Sequence, residues 1–146
     1  MENNVTKNLE FKQIRDLDPA LIDADVQTMN VDRLTGRWLN TDRNTRGLSE
    51  ITIGQTGEQF SVSAVGVGAD DPIDWVATNV RPLANLEEEA GQRGITLVAD
   101  FDFPFMKAET YLRVNKGVLV IVEFNTFTDQ SGRTNYVNRE FFYRSA

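Results

Sequence analysis

The chain has 146 residues, enough for one domain with a real core. Its 22 acidic and 15 basic residues give a formal charge of -7, which repels phosphate backbones and anionic membrane surfaces and so points away from nucleic-acid and membrane partners. Cysteine and histidine are both absent, which excludes disulfides, thiol nucleophiles, imidazole bases and the usual zinc or haem ligands.

In chain order, the opening MENNVTKNLEFKQ lacks the apolar core of a signal peptide, and the longest apolar run, 118–122, is far too short for a bilayer. A cytoplasmic protein is therefore expected. Residues 1–33 carry seven acids and four bases with few β-branched or aromatic side chains, and read as an extension to the main domain, 34–146. Asp18 followed by Pro19 is an N-cap and first-turn proline, which predicts a short helix over 19–29. That helix is expected to pack on the main body or on a partner subunit.

From residue 34 the pattern changes to short strands between turn signals. LTGRWLNT (34–41), SEITI (49–53) and QFSVSAVGV (59–67) alternate in character, and GQTG forms a tight connection between the second and third. A strand over 75–80 follows the GADDP break, with Pro82 limiting further pairing. LANLEEEAGQRG (83–94) favours a helical turn ended by Gly91 or Gly94. ITLVADFDF (95–103), 107–115, VLVIVEFNTF (118–127) and TNYVNREFFYR (134–144) complete eight predicted strands. The short linkers predict an all-β, eight-stranded antiparallel up-and-down barrel with a short N-terminal helix; alternation alone does not separate it from a sandwich.

LTGRWLN is the most specific local feature. A glycine two residues before a tryptophan at the start of the first strand resembles the calycin barrels, which include the lipocalin and avidin-like proteins. The resemblance covers the first hairpin and extends to the last strand. It implies that Gly36 permits close backbone approach and that Trp38 plugs one barrel end beneath an arginine of the final strand, with Arg139 and Arg144 as candidates. It also implies a calycin-like architecture; barrels of this size can enclose one small molecule. The alternative role for Trp38 is in a ligand pocket.

Other residues carry weaker signals. Asp70, Asp71 and Asp74 precede Trp75 but lack the spacing of a calcium loop, so no metal site is expected; Trp75 is a candidate for the barrel mouth. Asp100 and Asp102 stand about 7 Å apart on one strand face, close enough for acid–base chemistry, but Phe101 and Phe103 compete for the interior. Glu123 interrupts an apolar strand and calls for a donor such as Arg113, Arg139 or Tyr111, as a structural ion pair, a ligand anchor or a general acid or base. Strands 118–127 and 134–144 are apolar or aromatic on both faces, which points to a homodimer interface.

The leading expectation is binding of a small, mostly apolar or amphipathic molecule in the barrel, with Trp38, Trp75, Phe101, Tyr111, Glu123, Arg139 and Phe141 as ligand-contacting residues and no cofactor. One alternative is a metal-independent cyclase or isomerase using Glu123 or Tyr111 for proton transfer. The other is a structural or oligomeric interaction module without ligand.

Overall fold

A computed structural model describes residues 33–84 and 95–146. Nine strands follow one another: β1 (Gly36–Asn40), β2 (Leu48–Thr56), β3 (Gln59–Gly66), β4 (Ile73–Val76), β5 (Asn79–Ala84), β6 (Ile95–Asp102), β7 (Met106–Asn115), β8 (Val118–Phe127) and β9 (Tyr136–Arg144). All pair antiparallel in one sheet of order β4-β3-β2-β1-β9-β8-β7-β6-β5, which curls into a half-barrel. Every strand lies beside its neighbour in sequence, except that β1 also joins β9 and that β4 and β5 form the two ends of the sheet. The described residues contain no helix. The predicted helix over 19–29 and most of the 83–94 turn lie outside the described residues.

The sequence pattern predicts eight strands, one of them over 75–80; this stretch is instead two strands. The chain changes partner at Ala77 and Thr78. Ala77 donates its N–H to the Val62 carbonyl beside β4, whereas the Thr78 N–H and hydroxyl both turn to the Asp100 carbonyl on β6. Pro82 is accommodated because β5 is a terminal strand, where the missing N–H interrupts no ladder on the far side.

Turn chemistry sets the hairpins. Lys116 and Gly117 both have positive φ (52° and 80°), the geometry of a two-residue turn whose twist matches its strands, β7 and β8. Gly57, at φ 63°, does the corresponding work between β2 and β3. An irregularity between Leu48 and Glu50 shifts the β2 alternation, so that Leu48, Ile51 and Ile53 all reach the core.

The core fills the inner face. Leu97, Leu112, Ile121 and Leu119 are essentially inaccessible, with Phe101, Ile95, Val62 and Phe142 packed among them. Phe101 points inward and Asp102 outward, so the two aspartates do not form an interior pair. Trp38 is 1% exposed and donates its indole N–H to the Leu34 carbonyl at 2.9 Å. Arg144 lies over the ring, 4.5 Å from the guanidinium carbon to the centroid, and donates to the backbone carbonyls of Thr35 and Arg33. Of the two expected arginines, Arg144 takes this position. Arg139 faces the other way.

Gly36 is where this clasp leaves no room. Its φ is +130°, and an added Cβ would stand 2.7 Å from Arg144 Nη1. Gly36→Ala is expected to cost about 1–3 kcal/mol through backbone strain and displacement of the arginine. Chemical denaturation of the variant checks this; a change within about 0.5 kcal/mol would show that the clasp carries no such constraint.

Candidate functional site

The ladder register arranges the inner face of β6 to β9 in rows. Leu97, Leu112, Ile121 and Glu140 form one; Ala99, Thr110, Glu123 and Asn138 the next; Phe101, Ala108, Asn125 and Tyr136 the third. Aliphatic side chains dominate the first row, and polar groups gather on β8 and β9 in the other two. Ala99 and Ala108 are the smallest side chains of those rows.

Glu140 organises the edge of this cluster. Its Oε1 accepts from the Thr45 hydroxyl at 2.5 Å and from Asn40 Nδ2 at 3.1 Å, and its Oε2 accepts from the Leu48 N–H at 3.1 Å. Three donors converging on one side chain suit an acceptor-only carboxylate. Asn40 completes the clasp by donating to the Leu48 carbonyl and accepting from the Asp42 N–H. Gly47 is required beside it, since a Cβ there would lie 2.6 Å from Glu140 Oε1.

Glu123 is 2% exposed and lies on the same face. Burial, followed by the adjacent Glu140, raises its pKa to about 9, while the amides of Asn138 and Asn125 pull the other way. At neutral pH it is a buried carboxylic acid. Its Oε1 has no hydrogen-bond partner among the described residues, nor has either polar atom of Asn125, which is 2% exposed. Tyr136, half exposed at the end of the third row, has its phenol pKa raised by burial and then by the charges of Glu123 and Glu140.

A groove opens beside the β9 members of this cluster, with Glu123 and Asn125 behind its lining. β1 pairs with β9 only over Trp38–Asn40, extended by the Thr41 N–H to the Phe141 carbonyl. The earlier part of β9 therefore has no strand on that side, and a groove of about 650 Å³ runs between it and the 41–47 loop. Tyr136, Asn138 and Glu140, with Arg139 and Phe141 at the outer margin, line one wall; Asp42, Asn44 and Arg46 line the other.

The residues expected from sequence divide between the two faces. Glu123, Trp38, Phe101 and Trp75 belong to the inside: the first three are buried, and Trp75 is half buried with its ring edge-on to Phe101 and Phe103. Tyr111, Arg139 and Phe141 lie on the outer face, because their register partners are Val122, Val122 and Val120. Tyr111 bonds Glu109 and packs on Phe124, while Arg139 covers the Phe141 ring. None of the expected donors, Arg113, Arg139 or Tyr111, shares the face of Glu123; its neighbours are two amides and a second carboxyl. The sequence reading missed Asn125, Asn138, Glu140, Tyr136 and Asn40. The available signal was polar residues recurring at inner positions of two consecutive strands. Among the described residues, no three acidic side chains form a metal-ligating group.

Comparison with known proteins finds no protein-family model, no curated protein and no solved structure that matches this chain.

The raised pKa of Glu123 links this site to stability. The unfolded carboxyl ionises at 4.5 and the folded one at about 9, so between these values the folded chain keeps a proton that the unfolded chain has lost. The stability that this group contributes thus falls as pH rises through that window. Glu123→Gln, which mimics the neutral acid, is expected to match the parent near pH 5 and to exceed its stability at pH 8. Denaturation curves at both pH values check this, and equal curves at pH 8 would place the carboxyl in an ordinary solvated state.

Proposed function

We propose that the chain binds one small amphipathic molecule at the inner face of a calycin-like barrel. The reading is carried by the buried, unpartnered polar atoms of Glu123 and Asn125. A buried polar group without a partner costs about 1–3 kcal/mol, and a ligand that supplies the missing hydrogen bonds would offset that cost. The groove beside β9 is the route of entry, and its volume lies in the range of small-molecule sites. Leu97, Leu112, Ile121 and Phe101 pack as apolar core next to the polar rows. The meander order with β1 joined to β9, the Trp38–Arg144 clasp and the glycine beneath it support the calycin-like architecture.

The outer face supports the homodimer. Tyr111, Phe124, Val137, Phe141 and Tyr143 are each more than a third exposed there, which is more aromatic surface than a solvated sheet face requires. Native mass spectrometry of gently purified protein tests both proposals. The expected result is a dimer carrying a non-covalent adduct that is lost on denaturation and absent from a Glu123→Gln, Asn125→Leu double variant of intact fold. A bare monomer that takes up nothing from a small-molecule mixture would overturn both.

The proximity of Glu123 to Glu140 favours one second reading, the metal-independent cyclase or isomerase. A neutral Glu123 can donate a proton, and the neighbouring Glu140 side chain is an acceptor of hydrogen bonds, so the two offer complementary roles. Glu123 would give a proton to one substrate atom while Glu140 removes one from another, with no net change in protons or electrons. Proton exchange between the two carboxyls would then restore the site. Returning the released adduct to fresh protein separates the readings: a product of unchanged mass but new chromatographic retention marks the enzyme, and unchanged retention marks the binder.

A further inference from the structure

We propose that the inner-face site takes a protonated organic amine, its ammonium head seated among Glu123, Asn125 and Glu140 and its tail directed into the groove beside β9; this rests on the small-molecule reading above. Two carboxyl groups share the site. The side chains facing Glu123 from the packed strands are Thr110 and Ala108 on β7, Asn125 on β8, and Asn138, Glu140 and Tyr136 on β9. Glu140 and Tyr136 are the titratable groups among them, and none is a cation. Asp42 and Arg46 are the charged residues on the far wall of the groove.

An ammonium group has three donors and no acceptor. Acceptor oxygens are open here: Glu123 Oε1 and Asn125 Oδ1 are both buried and unpartnered, beside the equally unpartnered donor Asn125 Nδ2. Thr110 has already committed its hydroxyl proton to the Ala99 carbonyl, leaving only lone pairs toward the interior. With the ammonium in place, Glu123 ionises, and both of its oxygens are then free to accept, from the ammonium and from the amide of Asn125. An anionic head would face two carboxyls. A neutral head would leave Glu123 protonated and gain no charge-assisted hydrogen bond from it.

One further observation agrees. The net charge of -7 favours approach of a cation from solution.

Isothermal titration of the full chain with hexylammonium, hexanamide and hexanoate, at pH 7 in buffers of different ionisation enthalpy, tests this assignment. Hexylammonium is expected to bind tightest and to release close to one proton, because Glu123 ionises on binding. Its affinity should rise about tenfold per pH unit between pH 6 and 8. Glu123→Gln should abolish the proton release and weaken hexylammonium at least tenfold. Proton release by the parent protein is read without any variant, so the test stands even where the substitution fails to fold. Preference for hexanamide or hexanoate, or hexylammonium binding without proton release, would overturn the amine assignment and leave the small-molecule reading intact. Absence of binding by all three probes would overturn both.

Discussion

The short pairing between β1 and β9 is the constraint on which the rest depends. It joins the first strand of the sheet to the last over only Trp38–Asn40, and each end of that contact has its own device. At one end Arg144 lies on Trp38 and takes two backbone carbonyls, with Gly36 making space for it. At the other, β1 stops, β2 does not begin until Leu48, and the intervening loop has no ladder to hold it. Glu140 replaces the ladder there with side-chain and backbone hydrogen bonds from Thr45, Asn40 and Leu48. The groove beside β9 exists because β1 is short, and it keeps its shape because Glu140 ties down the loop.

That arrangement explains the state of Glu123. Glu140 already accepts three hydrogen bonds, so it remains a committed acceptor, and its carboxyl adds to the burial that disfavours charge on Glu123. A second ionised carboxylate on the same face, with no cation facing it, would be a poorly compensated buried charge. Glu123 therefore keeps its proton. Structural needs at the strand gap and the electrostatics of the interior are the same problem: the residue that holds the loop also sets the protonation of the residue behind it.

The sequence made the strands legible because alternation and turn residues are local signals. The 118–127 strand appears with the predicted bounds, and the 116–117 turn follows from glycine and positive φ. The partner switch at Ala77 and Thr78 was not legible, since both halves of that stretch have strand-like composition and only the spatial neighbours differ. Likewise, alternation divides β9 correctly into Val137, Arg139, Phe141 and Tyr143 against Tyr136, Asn138, Glu140, Phe142 and Arg144. It does not say which set faces inward when aromatics occupy both. Phe142 pairs with Leu119 in the core, and that register sends Phe141 and Arg139 outside.

Glu123 stood out in the sequence as one acid within an apolar strand, but its surroundings required long-range register. An isolated acid on such a strand invites a salt bridge, and the arginines nearest in pattern were the natural partners. They are on the wrong face. What register supplies instead is a neighbouring carboxyl and two carboxamides, a set that raises the acid's pKa and leaves hydrogen bonds unmade. An ion pair would have made Glu123 a finished piece of core. Without one, a fold closed by aliphatic packing and an arginine clasp at one end keeps unspent hydrogen-bonding capacity toward the other, and this asymmetry separates the part of the half-barrel that secures the sheet from the part that holds buried polar atoms without partners.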